Sequence, residues 1–376
     1  MKPKKTEATY LFGAGRSNLI DSKENFAKEF FYGYFQMKNE IENINLLDFQ
    51  GTKRGGLINN ILYLISKVLR KITKLSFFIE NICTLNNFRV LKNSKRLIIT
   101  NDRIGLSLIP FLLVFKIFKL NKSVVFVMGL LAKETSNLYS HIFQRFLLNV
   151  FFKLVDEFIF LSKGEFNQAN ISFEKYKKKF HFIPFSIDEN FWQRKDGVKR
   201  NKVVFIGNDG RREYDFALEV ASSMPEYEFL FVTSNIDENI IKSDNIKLLK
   251  GQWNQKLLTD DEIKEIYNEA LLSIIPIKNS YQPSGQSVAL QSMSMNVPVI
   301  ITDTIGFWDK DVFIDNVNIF FVKENKINMW TKKIRNVISN ESLTREVTKN
   351  SKKLISEEYN SELFYKKIKK IIFNSG

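Results

Sequence analysis

Short apolar segments alternate repeatedly along this chain with segments whose apolar residues recur at helical spacing. Parallel strands need a crossover helix between them, so this alternation predicts an α/β fold with doubly wound parallel sheets. Strands are predicted near residues 9–12, 44–49, 96–100, 123–128, 157–161, 202–206, 228–233, 271–277 and 297–302.

Length and local composition predict two domains. At about 150 residues per domain, the chain's 376 residues suit two. A polar stretch over 193–201 follows an apolar one, which marks a boundary. The predicted first domain is 1–192 and the second is 193–355. The remaining helix, 356–376, is expected to pack back on the first domain.

Several site classes are excluded by what the sequence lacks. Cys83 is the only cysteine, so no internal disulfide forms. Together with His141 and His181 it falls short of the usual four ligands of a zinc site. The sequence also has no Gly-x4-Gly-Lys-Ser/Thr P-loop and no Gly-x-Ser-x-Gly hydrolase elbow.

The chain is expected to be cytoplasmic and without a membrane span. Residues 1–13 are basic but lack the apolar stretch and cleavage site of a signal peptide. The longest apolar stretch, 105–118, is interrupted by Pro110 and Lys116. It is shorter than the roughly 18 to 20 residues that a spanning helix needs.

Positive charge is concentrated in the first half of the chain. The net charge is +15, and residues 1–190 carry 29 Lys and Arg against 16 Asp and Glu. Residues 57–82 are predicted to form one basic amphipathic helix with the cations Lys67, Arg70, Lys71 and Lys74. Such a helix can lie on an anionic membrane or simply face the core with a solvated basic side. Nucleic-acid binding is not expected, because no zinc finger, RRM or helix-turn-helix pattern accompanies the charge.

A glycine turn, Gly13-Ala14-Gly15, follows the first predicted strand, with a helix expected over 24–37. The turn is similar to a dinucleotide-binding fingerprint, but Asn18 stands where a third glycine or alanine is expected. Asp48 at the end of the second strand is not a persuasive ribose-binding acid. An ordinary tight turn, a loop facing a cleft and an NAD-dependent oxidoreductase therefore remain as alternatives.

The most informative segment is 281–300, which reads YQPSGQSVALQSMSMNVPVI. A buried strand precedes its glycine-containing loop, and a short helix and a return strand follow. This arrangement aims backbone N–H groups at an anion or a sugar. An Asp-x-Asp sequence at Asp309-Lys310-Asp311 is interpreted as a solvated loop instead of a metal motif.

Segment 281–300 resembles the donor-site signature of the retaining GT-B glycosyltransferases of family four, the group 1 type. Three further segments resemble the family in the expected order: 182–192, 205–212 and 302–307. The resemblance implies two Rossmann-like doubly wound domains that face a cleft, the first for the acceptor and the second for the donor. It implies transfer of a hexose from a nucleotide-sugar to a glycan or lipid-linked acceptor with retention, in bacterial cell-surface polysaccharide assembly. Such enzymes need no metal and no cofactor.

The resemblance also implies site residues, with departures from the family pattern. The family's two glutamates fall at Pro283 and Gln291, and its usual diphosphate arginine falls at Asn208. Arg212 is the expected catalytic cation, which would neutralise the leaving diphosphate. A catalytically degenerate GT-B binding protein is the alternative that the lost carboxylates leave open. The expected donor-binding residues are Gly207, Asn208, Asp209, Arg211, Ser284, Gly285, Gln286, Ser287 and Gln291. The acceptor-side candidates are Gly13, Gly15, Arg103, Met128 and Gly129.

Overall fold

A computed structural model of the chain describes residues 5–22, 24–49, 56–135, 137–250 and 258–374. The chain divides into two compact units. Unit 1 comprises Met1–Lys23, Phe31–Ile183 and Tyr365–Gly376. Unit 2 comprises Glu24–Phe30 and Pro184–Phe364.

Unit 1 is built on a parallel sheet of six strands in the order β2-β1-β3-β4-β5-β6. The strands are β1 (Ala8–Gly13), β2 (Ile44–Phe49), β3 (Arg96–Ile99), β4 (Lys122–Val127), β5 (Glu157–Phe160) and β6 (Phe180–Phe182). The inner strands are almost wholly buried, as expected where helices cover a sheet. The helices are α1 (Arg16–Asp21), α2 (Tyr34–Glu40), α3 (Leu57–Thr73), α4 (Ile79–Ile82), α5 (Leu85–Lys92), α6 (Asp102–Ser107), α7 (Ile109–Ile117), α8 (Leu138–Leu154) and α9 (Lys163–Ser172).

Unit 2 has a second six-stranded parallel sheet, ordered β12-β11-β10-β7-β8-β9. The strands are β7 (Lys202–Ile206), β8 (Glu228–Val232), β9 (Ile246–Leu249), β10 (Ala270–Ile275), β11 (Val299–Thr302) and β12 (Phe320–Val322). The helices are α10 (Tyr214–Ser222), α11 (Asp260–Glu269), α12 (Gln286–Ser294), α13 (Ile327–Ser339), α14 (Glu341–Glu358) and α15 (Ser361–Asn374). Two doubly wound parallel sheets confirm the predicted α/β class. Because all strands of each sheet are parallel, the loops that follow them lie along one edge, where such sheets bind ligands.

The compact units differ from the predicted domain bounds. The crossing between units lies after Ile183, nine residues before the predicted position 192. Glu24–Phe30 belongs to unit 2 although the chain on both sides of it belongs to unit 1. The end of the chain from Tyr365 onward belongs to unit 1, and α15 begins shortly before that point. There, the Arg96 guanidinium of unit 1 donates to the backbone oxygen of Ile372 at 3.1 Å.

Two helix predictions are wrong. Residues 24–28 are irregular, and regular structure begins only with a short 3₁₀ turn at Glu29–Phe31 and α2. The predicted helix 57–82 is interrupted, because α3 is terminated by Lys74, the residue after Thr73, which has a left-handed backbone conformation with φ of 58°. The chain then turns inward to bury Leu75 and Phe77 before α4 begins. Burial of these two side chains outweighs continuation of the helix.

Candidate active site

The loops that follow β7 and β10 are joined by backbone hydrogen bonds in unit 2. The Glu213 N–H donates to the oxygen of Pro276 at 3.0 Å, and the Lys278 N–H donates to the oxygen of Arg211 at 2.8 Å. Adjacent strands of a parallel sheet place such loops side by side. The pairing brings Arg212 to the turn that precedes α12.

The guanidinium of Arg212 is buried between two glycines. Its side chain is 3% exposed, and a Cβ added to Gly207 would lie 2.6 Å from its Nε. A Cβ added to Gly285 would lie 3.3 Å from its Nη1. The two glycines therefore make the room that this cation occupies.

Asp209 orients this guanidinium. One carboxylate oxygen accepts from Arg212 Nε at 2.8 Å, and the other accepts from the Arg211 N–H at 2.9 Å. The buried Nη1 of Arg212 has no hydrogen-bond partner among the described residues. A buried donor without a partner is costly, so this atom marks a position for an added acceptor.

The N-terminus of α12 lies beside the same guanidinium. Gly285 precedes the helix with φ of 80° and has no side chain to cap the first turn. Ser284 is 6% exposed, and within the described chain its hydroxyl has no partner. Gln286 is buried and Ser287 is half-buried in the first turn. The N-terminal N–H groups of α12, its helix dipole and the nearby guanidinium together favour an anion.

Asn208 links the ends of β7 and β8. Its side-chain oxygen accepts from the Thr233 hydroxyl at 2.9 Å and from the Ser234 N–H at 2.7 Å. The residue at the family's arginine position therefore makes structural bonds to the neighbouring loop. Its donor-binding role stays a prediction.

Gln291 lies in a buried polar cluster of unit 2. Its Nε2 donates to the carboxylate of Glu29 at 2.9 Å, and the Tyr267 hydroxyl donates to its Oε1 at 3.3 Å. The Trp192 indole N–H also donates to Glu29, at 2.8 Å. Burial raises the pKa of Glu29 to about 7, although the hydrogen bonds from Gln291 and Trp192 lower it. The Gln291 side chain, predicted to contact the ribose, therefore already makes hydrogen bonds within the protein.

The sequence provided no signal for Glu29. It lies far from the signature in the chain, in a segment predicted to be an ordinary helix of the first domain. Only the passage of Glu24–Phe30 into unit 2 brings its carboxylate to Gln291.

The acceptor-side candidates lie along the carboxyl edge of the unit 1 sheet. Gly13 ends β1 and Gly15 follows it, Arg103 is exposed in α6 after β3, and Met128 and Gly129 follow β4. These strands are neighbours in the sheet, so the structure places all five candidates along one stretch of its edge. Their role in acceptor binding stays a prediction.

Two buried carboxyl groups, those of Glu165 and Asp102, hold the loop after β4. Glu165 accepts from the Gly129 N–H at 2.7 Å and from the Leu131 N–H at 2.8 Å. Asp102 accepts from the Met128 N–H at 3.3 Å. Burial raises the pKa of both groups, that of Glu165 to about 8. They fix the backbone at two of the acceptor-side candidates.

The glycine turn of unit 1 already has a carboxylate at its helix. The Ser17 N–H in the first turn of α1 donates to Asp48 Oδ2 at 2.6 Å. A pyrophosphate placed there would meet this negative charge. The geometry therefore disfavours the dinucleotide interpretation of Gly13-Ala14-Gly15.

The solvated-loop interpretation of Asp309-Lys310-Asp311 is wrong for Asp309. This residue is 5% exposed and accepts from the Tyr359 hydroxyl at 3.1 Å. Within the described ranges, no group of three His, Cys, Asp or Glu side chains is arranged to hold a metal ion. The same ranges contain no helix that combines the length and apolarity of a bilayer span.

Helix α3 exposes much of its apolar face. Leu57, Ile58 and Leu64 are 77%, 75% and 58% exposed, while Ser66 and Thr73 face the interior. The packing of α3 on unit 1 therefore leaves the apolar stripe predicted from the sequence largely uncovered. A core-facing role explains only its partly buried leucines, Leu62 and Leu69.

Comparison with known sequences identifies one family model. Residues 186–354 match the model described as glycosyl transferases group 1. The capsular polysaccharide biosynthesis glycosyltransferase CapM of Staphylococcus aureus is 23% identical over 152 residues. That match covers 40% of this chain and 34% of CapM, so it spans about a third of the relative's length.

Solved structures resemble the whole chain. Anabaena Alr3699/HepE in complex with UDP and glucose has a TM-score of 0.65 at 13% identity, covering 99% of this chain and 100% of that one. Sucrose-phosphate synthase from Thermosynechococcus elongatus has a TM-score of 0.68 at 11% identity, covering 97% and 98%. At such low identity the likeness shows the fold alone. It confirms the GT-B class of two Rossmann-like units.

Proposed function

We propose that this chain, whose residues 186–354 match the model of the group 1 glycosyltransferases, transfers a hexose from a nucleotide-sugar to a glycan or lipid-linked acceptor. The observation that carries the proposal is the buried Arg212, whose Nη1 lacks a partner beside the uncapped N-terminus of α12. A nucleoside diphosphate supplies the negative charge and the oxygen acceptors that this arrangement lacks.

The chemistry follows from where charge develops. Cleavage of the sugar–phosphate bond leaves additional negative charge on the diphosphate. Arg212 and the first-turn N–H groups of α12 would stabilise that charge in the transition state. Asp209 holds the guanidinium in position beforehand, which limits reorganisation during the reaction. Since a guanidinium supplies the positive charge, we expect no metal requirement.

Retention and the biological role also belong to the proposal. The segments that resemble family four support transfer with retention. The partial match to CapM supports a place in bacterial cell-surface polysaccharide assembly. The UDP complexes of HepE make UDP-sugars the first donors to test.

A thermal-shift screen against UDP-, GDP-, ADP-, CMP- and dTDP-sugars tests donor binding. A ligand that binds the native state raises its melting temperature by mass action. We expect a rise with one nucleotide class, which Arg212→Ala abolishes. Arg335→Ala is the matched control, because Arg335 is exposed and pairs with Glu226 in the same unit. Absence of a shift with every donor, or an equal shift in Arg212→Ala, would contradict the proposed donor site.

A binding protein without catalytic activity is the second candidate. The glutamine at position 291, engaged by Glu29, and the proline at position 283 favour it, because neither supplies a carboxylate to the donor. Release of UDP from UDP-sugar, measured with and without a mixture of glycan acceptors, separates the two. Donor binding without any release would favour the binding protein.

We further propose that the chain is a peripheral protein on the cytoplasmic face of an anionic membrane. The exposed apolar stripe of α3 would enter the headgroup boundary, flanked by Lys67, Arg70 and Lys71. Each cation near an anionic surface contributes about 1 kcal/mol. Such a surface would bring the chain to a lipid-linked acceptor.

Vesicle flotation tests this surface. We expect binding to vesicles with anionic lipid and none to neutral ones, with binding reduced in Ile58→Asp. Ile240→Asp is the matched control, since Ile240 is a 49% exposed isoleucine of unit 2. If anionic vesicles fail to bind the chain, or if both variants bind alike, the membrane proposal is wrong.

A further inference from the structure

A second concave site lies in unit 1, along the edge strand β2. It is a cavity of about 420 Å³, a size typical of small-ligand pockets. The lining residues are Ser17, Leu46, Leu47, Asp48, Phe49, Asn81, Thr84 and Asn87. They come from β2, the start of α1 and the α4–α5 region, so an edge strand and the helices beside it build this cavity.

Asp48 has one oxygen to offer a ligand. Its Oδ2 accepts from the Ser17 N–H, whereas its buried Oδ1 has no partner among the described residues. A buried carboxylate oxygen without a partner can accept a hydrogen bond from a hydroxyl or N–H group of a ligand.

The lining favours a neutral ligand rich in hydroxyl groups. Of the described residues that line the cavity, Asp48 alone is charged, and its carboxylate would repel a phosphate or a carboxylate ligand. Asn81, Asn87 and Thr84 add hydrogen-bonding side chains, while Leu46 and Phe49 add apolar surface. A pyranose presents hydroxyl groups at its edge and C–H groups on its faces, which suits both kinds of lining.

We propose that this cavity binds a sugar residue of the acceptor, with Asp48 Oδ1 accepting a hydrogen bond from a sugar hydroxyl. The inference rests on the proposed transferase function and adds the place and chemistry of acceptor recognition. The cavity lies at the end of β2, next to β1, whose glycine turn carries the acceptor-side candidates Gly13 and Gly15.

Saturation-transfer NMR with a panel of methyl glycosides tests the inference on the full chain. The panel contains the common neutral hexosides and N-acetylhexosaminides at millimolar concentration. We expect at least one glycoside to bind. Binding should weaken about tenfold or more in Asp48→Ala, which removes the accepting oxygen.

Because Asp48→Ala also removes the bond to Ser17, a second variant leaves that bond in place. Leu46→Trp fills the cavity with side-chain volume and is expected to abolish glycoside binding. Asn45→Trp adds the same ring to an exposed neighbour that does not line the cavity, and should bind as the unmodified chain does. Binding that survives Leu46→Trp, or no binding of any glycoside to the unmodified chain, would overturn the inference.

The donor-induced thermal shift distinguishes this inference from the proposed function. Leu46→Trp and Asn45→Trp should both keep the shift with the nucleotide-sugar, because Arg212 lies in unit 2. A retained shift together with unchanged glycoside binding in Leu46→Trp contradicts only the acceptor pocket. A shift absent from the unmodified chain contradicts the transferase proposal instead.

Discussion

The two units contain similar glycine turns beside side chains of opposite charge. In each, a glycine with positive φ ends the loop after a parallel strand and precedes a helix: Gly15 with φ of 98° and Gly285 with φ of 80°. Beside Gly285 the buried guanidinium of Arg212 has an open N–H. Beside Gly15 the helix start is bonded to the carboxylate of Asp48. The glycine turn alone therefore does not determine the ligand, because Arg212 favours an anion beside one turn and Asp48 disfavours an anion beside the other.

The largest expected effect comes from removing the cation. Arg212→Ala should lower kcat/KM of the transferase by at least about 100-fold, since one preorganised donor to developing charge contributes roughly 3 kcal/mol. Steady-state kinetics with the donor found in the thermal-shift screen measure this. Arg212→Lys should recover only part of the loss, because a lysine lacks the planar fork that Asp209 orients. Full activity in Arg212→Ala would show that the cation beside Gly285 does not stabilise the leaving diphosphate.

Substitution of each glycine by alanine tests how closely the two turns are packed. Gly285→Ala should destabilise the fold by about 2 to 3 kcal/mol, because a Cβ there combines positive φ with a 2.6 Å approach to the Ile275 side chain. Gly15→Ala meets no atom within 4 Å, so only the φ strain of about 1 kcal/mol remains. Urea unfolding of both variants gives the two values. Equal destabilisation would mean that the close packing around Gly285 contributes little.

The sequence could predict the parts of this molecule that depend on local patterns. The alternation of strands and helices predicted the α/β class, and the glycine-containing loop of segment 281–300 predicted the short helix after it, which is α12. The sequence could not predict that Glu29 lies beside Gln291, because the passage of Glu24–Phe30 into unit 2 is a tertiary feature without a local sequence pattern. The end of α3 before Lys74 was missed for a similar reason. Apolar periodicity continues through 75–82, while burial of Leu75 and Phe77 decides the break.

The pH dependence of stability tests one buried carboxyl group in each unit, Glu29 in unit 2 and Glu165 in unit 1. The pKa of Glu29 is about 7 and that of Glu165 about 8, both above the ordinary 4.5. The folded state therefore holds these protons more tightly than the unfolded state does. Their contribution to stability is present below about pH 4.5 and is lost as pH rises toward 7 and 8.

Urea unfolding between pH 5 and pH 8 measures that slope, which reaches at most about 1.4 kcal/mol per pH unit for each group. Glu29→Gln should flatten the slope mainly up to pH 7, and Glu165→Gln up to pH 8. Glu174→Gln is the control, because Glu174 is an exposed surface carboxyl of unit 1. Slopes identical to that of the unmodified chain in both buried variants would show that neither carboxyl titrates as described.

The weakest effect is expected for the hydrogen bond between the Ser17 N–H and Asp48 at the start of α1. Asp48→Ala should lower the free energy of unfolding by about 1 to 2 kcal/mol, because the Ser17 N–H loses a charged acceptor. Donor binding in unit 2 should not change, whereas Asp209→Ala, which removes the orienting partner of Arg212, should weaken it. Urea unfolding and the donor thermal shift, measured on both variants, check the pair. If Asp48→Ala impaired donor binding as much as Asp209→Ala, the two carboxylates would not serve separate sites, because only Asp209 contacts the cation that we assign to the diphosphate.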